Sequence, residues 1–386
     1  MDFRGGIMTE YRQARSEEER EILDFSNMVF AMTAGPIDFR RVYPPIYGRS
    51  GFSRFHIIAK DEENRLVSSI AVKPMMLKLA KDESLSAGYL GTVATHPLER
   101  GKGHMKELMR LSIERARADG MELVALGGQR QRYNHYGFEI GAPVITFYLN
   151  KDNLKKRPIQ EELYFIELSK ADKQTADSAY DAYQALVMCA HRSREDFADI
   201  LRTAGGEGYA LMSQEGFEGY VYANGNDIYE YSFSGRQSMD DIARSWLRFR
   251  ACERFKFTTA VHQKETIAQL GAFAESWSLH DDMMIHVLNW SSVLQKLMSF
   301  KARHETLRDG EAIVEIKGQA WLRLQVKDNQ VSVRDIDAEN TKPSISFTPC
   351  EAVLRFFSPL GQLQAGEDRF YGWFPLMFSI PRPDWF

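Results

Sequence analysis

Two glycines set two positions apart, Gly101 and Gly103, stand where an apolar run meets an amphipathic one. Upstream, Tyr89-Leu90-Gly91-Thr92-Val93-Ala94 reads as a strand. Downstream, Met105, Leu108, Met109, Ile113 and Ala116 recur at helical spacing until Gly120 stops the pattern. A strand that passes into a helix through Arg100-Gly101-Lys102-Gly103 can turn tightly and let its backbone approach a ligand with no Cβ in the way. The first turn of such a helix presents unpaired N–H groups and the positive end of the helix dipole. Together these suit an anion of the pyrophosphate kind, with Arg100 and Lys102 adding full charge. A lone G-x-G can equally be a tight turn with solvated basic residues; the preceding strands and the following helix favour the anion site. The spacing is neither G-x-x-x-x-G-K-[ST] nor G-x-G-x-x-G, which excludes a P-loop and a dinucleotide-binding turn.

The rest of the chain places this turn in a larger order. Ser16-Glu17-Glu18-Glu19 has capping-box form, and Ile22, Phe25 and Val29 follow at helical spacing. Strands are predicted over 55–58, 66–72 and 75–79, with a polar connection over 81–86 and a short buried strand over 123–126. From about 163 to 280 the order helix, meander, helix, strand returns. Helices are predicted over 173–190, 193–203 and 239–251, and strands over 209–212, 219–222, 228–233 and 256–261. At the loop position this second copy has Gly235-Arg236-Gln237-Ser238, without the two spaced glycines. From Met284 a third pattern begins. It has a helix over 290–300, alternating strands over 313–316, 321–326 and 330–333, a buried helix over 351–357, and a tail rich in proline and aromatics. The pattern predicts an α/β (α+β) chain in three parts, 1–150, 151–283 and 284–386. Two tandem copies carry mixed, mostly antiparallel sheets flanked by helices, and a smaller α+β part follows.

Bulk properties exclude several classes. A net charge of −4 with no basic block argues against nucleic acid as a partner. No apolar run approaches the ~18 residues that a membrane span needs. The first twenty residues have no apolar core, so no signal peptide is expected and a cytoplasmic location is. Cys189, Cys252 and Cys350 are far apart, as reduced thiols are. With no C-x-x-C and no H-E-x-x-H, no metal is expected.

Arg100-Gly101-Lys102-Gly103 resembles motif A of the GNAT superfamily of acetyltransferases, R/Q-x-x-G-x-G/A. Arg100 and Gly103 match. Met105 stands in place of the last small residue, a departure familiar in the Eis-type (enhanced intracellular survival) branch. The resemblance implies acetyl-CoA as co-substrate. Val93, Ala94 and Thr95 would offer backbone groups to its pantetheine arm. Arg100, Gly101, Lys102, Gly103, His104, Met105 and Lys106 would surround its pyrophosphate, and Gly128 and Gln129 would lie near the acetyl end. Gln131 to Glu139 looks like the Y-x-x-[FY]-G-[FY] segment of the same family. Tyr133 then aligns with the general acid that protonates the leaving thiolate, and Tyr136 is read as a packing aromatic. The same resemblance makes the C-terminal carboxylate, here that of Phe386, the base that takes the amine's proton; desolvation strengthens such a base. Glu139 and Asp384 are alternatives. The apolar run 371–380 predicts that the tail packs rather than frays. His96, His104 and His135 are read as loop or helix-start residues. G-x-S-x-G is absent, so no covalent enzyme intermediate is expected.

The family's three parts are an active GNAT domain, a degenerate one and a sterol-carrier-protein-like domain; some members acetylate aminoglycosides and some form hexamers. The expectation is therefore an N-acetyltransferase moving an acetyl group to a small-molecule primary amine, such as an aminoglycoside or polyamine. The alternatives are a protein or peptide N-acetyltransferase, and an acyl-CoA- or lipid-binding protein without turnover.

Overall fold

The computed structural model describes residues 9–155, 157–338, 342–364 and 370–386. The first eight residues, part of the segment read above as lacking an apolar leader, lie outside the described residues.

The first copy runs β1 (Glu10–Gln13), α1 (Glu19–Ala34), α2 (Phe39–Val42) and α3 (Pro44–Tyr47), then β2 (His56–Lys60), β3 (Leu66–Ala80) and β4 (Glu83–Thr95). It continues through α4 (His104–Ala118), β5 (Leu123–Leu126), α5 (Arg130–Tyr133) and β6 (Glu139–Asn150). The capping expected between Ser16 and Glu19 forms one residue earlier. Glu18 accepts from the Arg15 N–H at 2.8 Å, because Arg12 already holds that carboxylate at 2.7 Å. The two strands expected within β3 are one. Pro74 sits beyond the end of β2, whose pairing stops at Ala71, so its missing N–H interrupts no ladder there. The polar stretch at 81–86 is mostly strand as well, since Leu85 pairs with Leu77 and Ala87 with Met75 on a buried face.

The second copy comprises α6 (Lys151–Leu154), β7 (Tyr164–Glu167), α7 (Lys173–Gln184), β8 (Cys189–Ala190), α8 (Arg194–Ile200), β9 (Glu207–Ser213), β10 (Gly216–Asn224) and β11 (Asp227–Phe233). It closes with α9 (Met239–Phe249), β12 (Arg254–Ala260), α10 (Lys264–Gly271) and β13 (Ser276–Val287). The helix expected over 173–190 ends at Gln184, because the following residues pair with β3: Met188 N–H bonds to Lys78 O at 2.7 Å and His191 N–H to Met76 O at 2.8 Å. The third part has α11 (Trp290–His304), β14 (Gly310–Ile316), β15 (Ala320–Lys327), β16 (Gln330–Asp335), β17 (Ile345–Phe347), α12 (Pro349–Phe357) and α13 (Pro359–Leu363).

Both copies share one sheet, in the order β1-β2-β3-β4-β5-β13-β6-β12-β11-β10-β9-β7, with β8 attached to β3. The copies have exchanged their last strands. β13 pairs with β5 from Met284↔Leu126 to Val287↔Leu123, and β6 pairs with β12 from Val144↔Ala260 to Asn150↔Arg254. β6 and β13 also pair with each other. Of the boundaries expected at 150 and 283, the first coincides with the end of β6 and the second lies inside β13. One face of the first-copy sheet packs on α4 through Leu108 and Met109. The other face packs on α1 and on the third part, whose α11, α12 and aromatic tail share its core. A separate four-stranded sheet, β16-β15-β14-β17, completes the third part.

Phe147 on β6 is 2% exposed and pairs with Phe257 on β12 and Trp277 on β13. Phe147→Ala is expected to cost about 3–5 kcal/mol. Urea unfolding followed by tryptophan fluorescence and by hydrogen exchange should show β5 and β12 losing protection together; loss confined to the second copy would contradict the shared ladder.

Candidate active site

The loop before α4 is open where the sequence places its glycines. Gly101 (φ +81°) and Gly103 (φ +90°) are in the left-handed region, and nothing lies within 4 Å of where a Cβ would be. Gly103 is the N-cap of α4, and among the described residues no side chain caps it. The first-turn amides of α4 are therefore available to an anion. They border a cleft of about 580 Å³ between α4, β4 and α1. Val93, Thr95, Arg100, Gly101, Gly103, His104, Met105 and Lys106 line it. Four residues expected there stand elsewhere. Ala94 is buried, its carbonyl accepting from the Ser68 hydroxyl at 2.8 Å. Lys102 is exposed and pairs with Glu99 at 2.8 Å. Gly128 (φ +141°) covers the Tyr133 ring, where a Cβ would come 2.7 Å from Cε2. Gln129 is the exposed residue before α5, and its carbonyl accepts from the N–H groups of Arg132 and Tyr133.

The remaining wall comes from Val29, Phe30 and Thr33 of α1, from Glu99, and from Arg132 and Tyr136. Tyr136 packs against the core beneath α4, as expected of a packing aromatic, and its half-buried ring also forms part of the cleft wall. Tyr133, three residues earlier, is 7% exposed and packed under Gly128. Burial pushes its phenol above the usual value near 10, against a smaller lowering from Arg132. The hydroxyl consequently keeps its proton at neutral pH. His104 opens α4 with Nδ1 2.8 Å from the Tyr11 hydroxyl and Nε2 3.5 Å from Glu99. His96 Nδ1 accepts from Leu98 N–H at 3.3 Å, a loop role as expected.

The chain end returns to β4. Trp373, Phe374, Leu376, Met377, Phe378 and Ile380 are buried, so the tail packs as its composition predicts. The Phe386 ring lies 5.6 Å from that of Tyr89, and Trp385 stacks on Tyr89 at 6.0 Å. The terminal carboxyl sits over Gly91, where any Cβ would collide with its oxygen. The ladder between β4 and β5 ends at Tyr89↔Ala125, so the terminus meets β4 just past the last paired residue. The alternative bases are engaged elsewhere. Glu139 is held by Arg130 at 2.5 and 2.8 Å and by Asn134 at 3.0 Å; Asp384 is held by Arg192 at 2.8 Å.

Residues 10–141 match the family model described as acetyltransferase (GNAT) domain. This part of the chain is a GNAT acetyltransferase domain. No curated protein matches the chain in sequence. In fold, the chain is similar to Eis1 from Mycobacterium abscessus, with TM-score 0.64 and 13% identity over 98% of this chain and 99% of that one. It is similar to a GCN5-related N-acetyltransferase from Anabaena variabilis, with TM-score 0.64 and 14% identity over 90% and 89% of the two chains. A further N-acetyltransferase of the same description, from Kribbella flavida, gives TM-score 0.62 and 13% identity over 90% and 89%. These likenesses show a shared mixed α/β fold, with mixed sheets flanked by helices, over most of the chain.

The second copy repeats the order of the GNAT domain, with β11, α9 and β12 in place of β4, α4 and β5 and a parallel pair in both. Its loop is filled from within. Glu218, 1% exposed, accepts from Ser213 (2.9 Å), Ser234 (2.8 Å), Gln237 (2.6 Å) and Arg236 (2.7 Å). Ser238 caps α9, accepting from the Asp241 N–H at 3.2 Å. Where the GNAT domain leaves its amides open, this copy supplies its own carboxylate and cap.

Beside Gly91, Thr92 takes φ +48° at an irregularity of β4. Its hydroxyl is 2.7 Å from that of Tyr47, which is 3.2 Å from His56 Nε2, and His56 Nδ1 is 2.8 Å from the Ser69 hydroxyl. Burial pulls the His56 pKa down to about 3, and those of His262 and His286 to about 4. These histidines stay neutral in the folded protein, whereas in the unfolded chain they gain protons near about 6.5. Their contribution to stability is complete above that value and lost as pH falls toward 4. Urea midpoints measured from pH 7 to 4.5 should therefore decline, and His56→Gln should flatten the decline; a midpoint constant over this window would contradict the assignment.

Proposed function

We propose that the protein is an N-acetyltransferase that moves an acetyl group from acetyl-CoA to a primary amine by direct attack. The observation that carries the reading is the arrival of the chain's own carboxylate at Gly91, two residues from Val93 on the cofactor cleft. The open amides of α4, with Arg100 and Lys106, hold the diphosphate. The Phe386 carboxylate takes a proton from the incoming ammonium. The freed nitrogen attacks the thioester carbonyl, the C–S bond breaks, and the Tyr133 hydroxyl gives its proton to the departing sulfur, while the nitrogen gives up its second proton to solvent to leave the neutral amide and the Phe386 carboxyl releases the proton it took. The phenolate then regains a proton from solvent as CoA leaves.

We read the three parts as a catalytic GNAT domain, a degenerate copy and a sterol-carrier-like domain. The last supplies the tail. Its interior holds the mutually packed rings of Phe356, Phe370 and Phe374, with centroids 4.4–5.6 Å apart. That packing favours a structural role for it over the lipid-binding alternative. The net charge of −4 tilts the acceptor toward a cationic small molecule such as a polyamine or aminoglycoside rather than a neutral one.

CoA release with a panel of polyamines, aminoglycosides and peptides tests the reading; release with none of them would end it. Tyr133→Phe is expected to lower kcat by about 10²-fold or more, with CoA affinity by calorimetry within about twofold, since the ring and its packing remain. An equal loss of both would make Tyr133 a cofactor-holding residue. Because burial raises the phenol, the alkaline limb it governs should lie above pH 10. A short extension after Phe386 moves the carboxylate away from Gly91 and should abolish turnover without loss of CoA binding; an active extended enzyme would remove Phe386 from the mechanism.

A further inference from the structure

The position of the chain end has its own cause. Arg192, between β8 and α8, is 1% exposed and holds two carboxylates from distant parts of the chain. Glu230 on β11 receives Nη1 at 2.8 Å and Nη2 at 2.6 Å. Asp384, two residues before the terminus, receives Nε at 3.2 Å and Nη2 at 2.8 Å. The Tyr183 ring lies under the guanidinium at 4.2 Å, and the Tyr220 hydroxyl donates to Glu230 at 2.8 Å. Lys73 on β3, whose cross-strand partner is Tyr89, is pushed below the usual lysine value by burial, with the Asp384 charge opposing that shift. The tail is held a second time through Arg382, which lies over Trp385 at 4.6 Å and over Tyr229 of the second copy at 4.7 Å.

A buried ion cluster adds little to stability compared with apolar packing of the same volume, because of what it costs to desolvate its members. What a guanidinium fork does supply is direction, since it fixes the plane and distance of each carboxylate it binds. Aromatic contacts alone, such as those of Trp385 and Phe386 on Tyr89, leave a chain end free to slide. An error of 1 Å in a reacting group costs on the order of 100-fold in rate.

We propose that Arg192 is a positioning residue for acyl transfer: by holding Asp384 against Glu230 it sets the last three residues so that the Phe386 carboxylate meets Gly91. The second copy thereby serves as the anchor for the base of the first. This inference rests on Phe386 being that base.

The test is Asp384→Asn in the full chain, which keeps the shape of the side chain and leaves the Arg192–Glu230 pair intact. Two readouts are taken. Carboxypeptidase release of Phe386, followed by mass spectrometry, reports anchoring without reference to catalysis. Steady-state kinetics from pH 5 to 9 report positioning. The expected result is release about tenfold faster or more, with kcat down by about tenfold or more, KM for acetyl-CoA within about twofold, and a displaced acid limb. Asp384→Glu, which restores the charge, should recover most of both, and it serves as the working variant if Asp384→Asn fails to fold; full recovery of neither readout in a folded Asp384→Glu protein counts against a charge-held tail. Release equal to wild type would overturn the anchor. Faster release with unchanged kcat would overturn the positioning role. If the wild-type protein acetylates no amine, the functional reading fails, and the release rates still decide whether Arg192 holds the tail.

Discussion

The pairing of β6 with β13 is the contact on which the rest of the molecule depends. Each copy ends its sheet with the strand that belongs by order to the other, so β5 and β12 are paired rather than open edges, and the joint sheet ends at β1 and β7. The exchange fixes the second copy against the first through two ladders rather than a surface contact. It also orients the third part. β13 runs into α11 within three residues, and the N–H groups of Leu288 and Asn289 both bond to the Glu122 carbonyl ahead of β5. Lys296 of α11 then pairs with the Glu122 side chain at 2.7 Å. From that stack the tail can reach β4.

The two copies show what distinguishes an anion site from a turn of the same order. A strand-to-helix connection offers donors in both. In the GNAT domain the donors border a cleft, and the glycines keep side chains out of it. In the second copy Glu218 comes from the neighbouring strand and takes four side-chain donors. The basic and polar side chains of that loop are thus spoken for by Glu218, and its helix start by Ser238. The absence of spaced glycines in Gly235-Arg236-Gln237-Ser238 marked the difference; the identity of the occupant became visible only in three dimensions.

Features encoded within a few residues were legible in sequence. The glycines of the loop, the stripe Met105-Leu108-Met109, and the alternation over 321–326 each determine their local structure through steric freedom or period. The single β3 was not, because Pro74 breaks the local pattern and is tolerated only by its place past the end of β2. Strand exchange was not legible either: a period of two says which face of a strand is buried and nothing about which strand lies beside it. Tyr133 was read as the acid and Tyr136 as a packing aromatic; the fold packs both against the core under α4 and puts Tyr136, not Tyr133, on the wall of the cleft. Arg192 falls in the two-residue gap between the helices expected over 173–190 and 193–203, and nothing in its sequence surroundings points to a role. Its partners are 38 and 192 positions away, and a charge of this kind is buried only when paired.

A terminal residue is an unusual place for a group that must be held in register. Chain ends fray because ordering costs about 1–2 kcal/mol per residue in backbone freedom alone. Used as a base, a terminal carboxylate needs that cost met by contacts on every side. Tyr89 supplies a face for Trp385 and Phe386, Gly91 supplies the space, and Arg192 supplies the direction. These three lie on two copies joined by exchanged strands, while the residues they hold come from the third part.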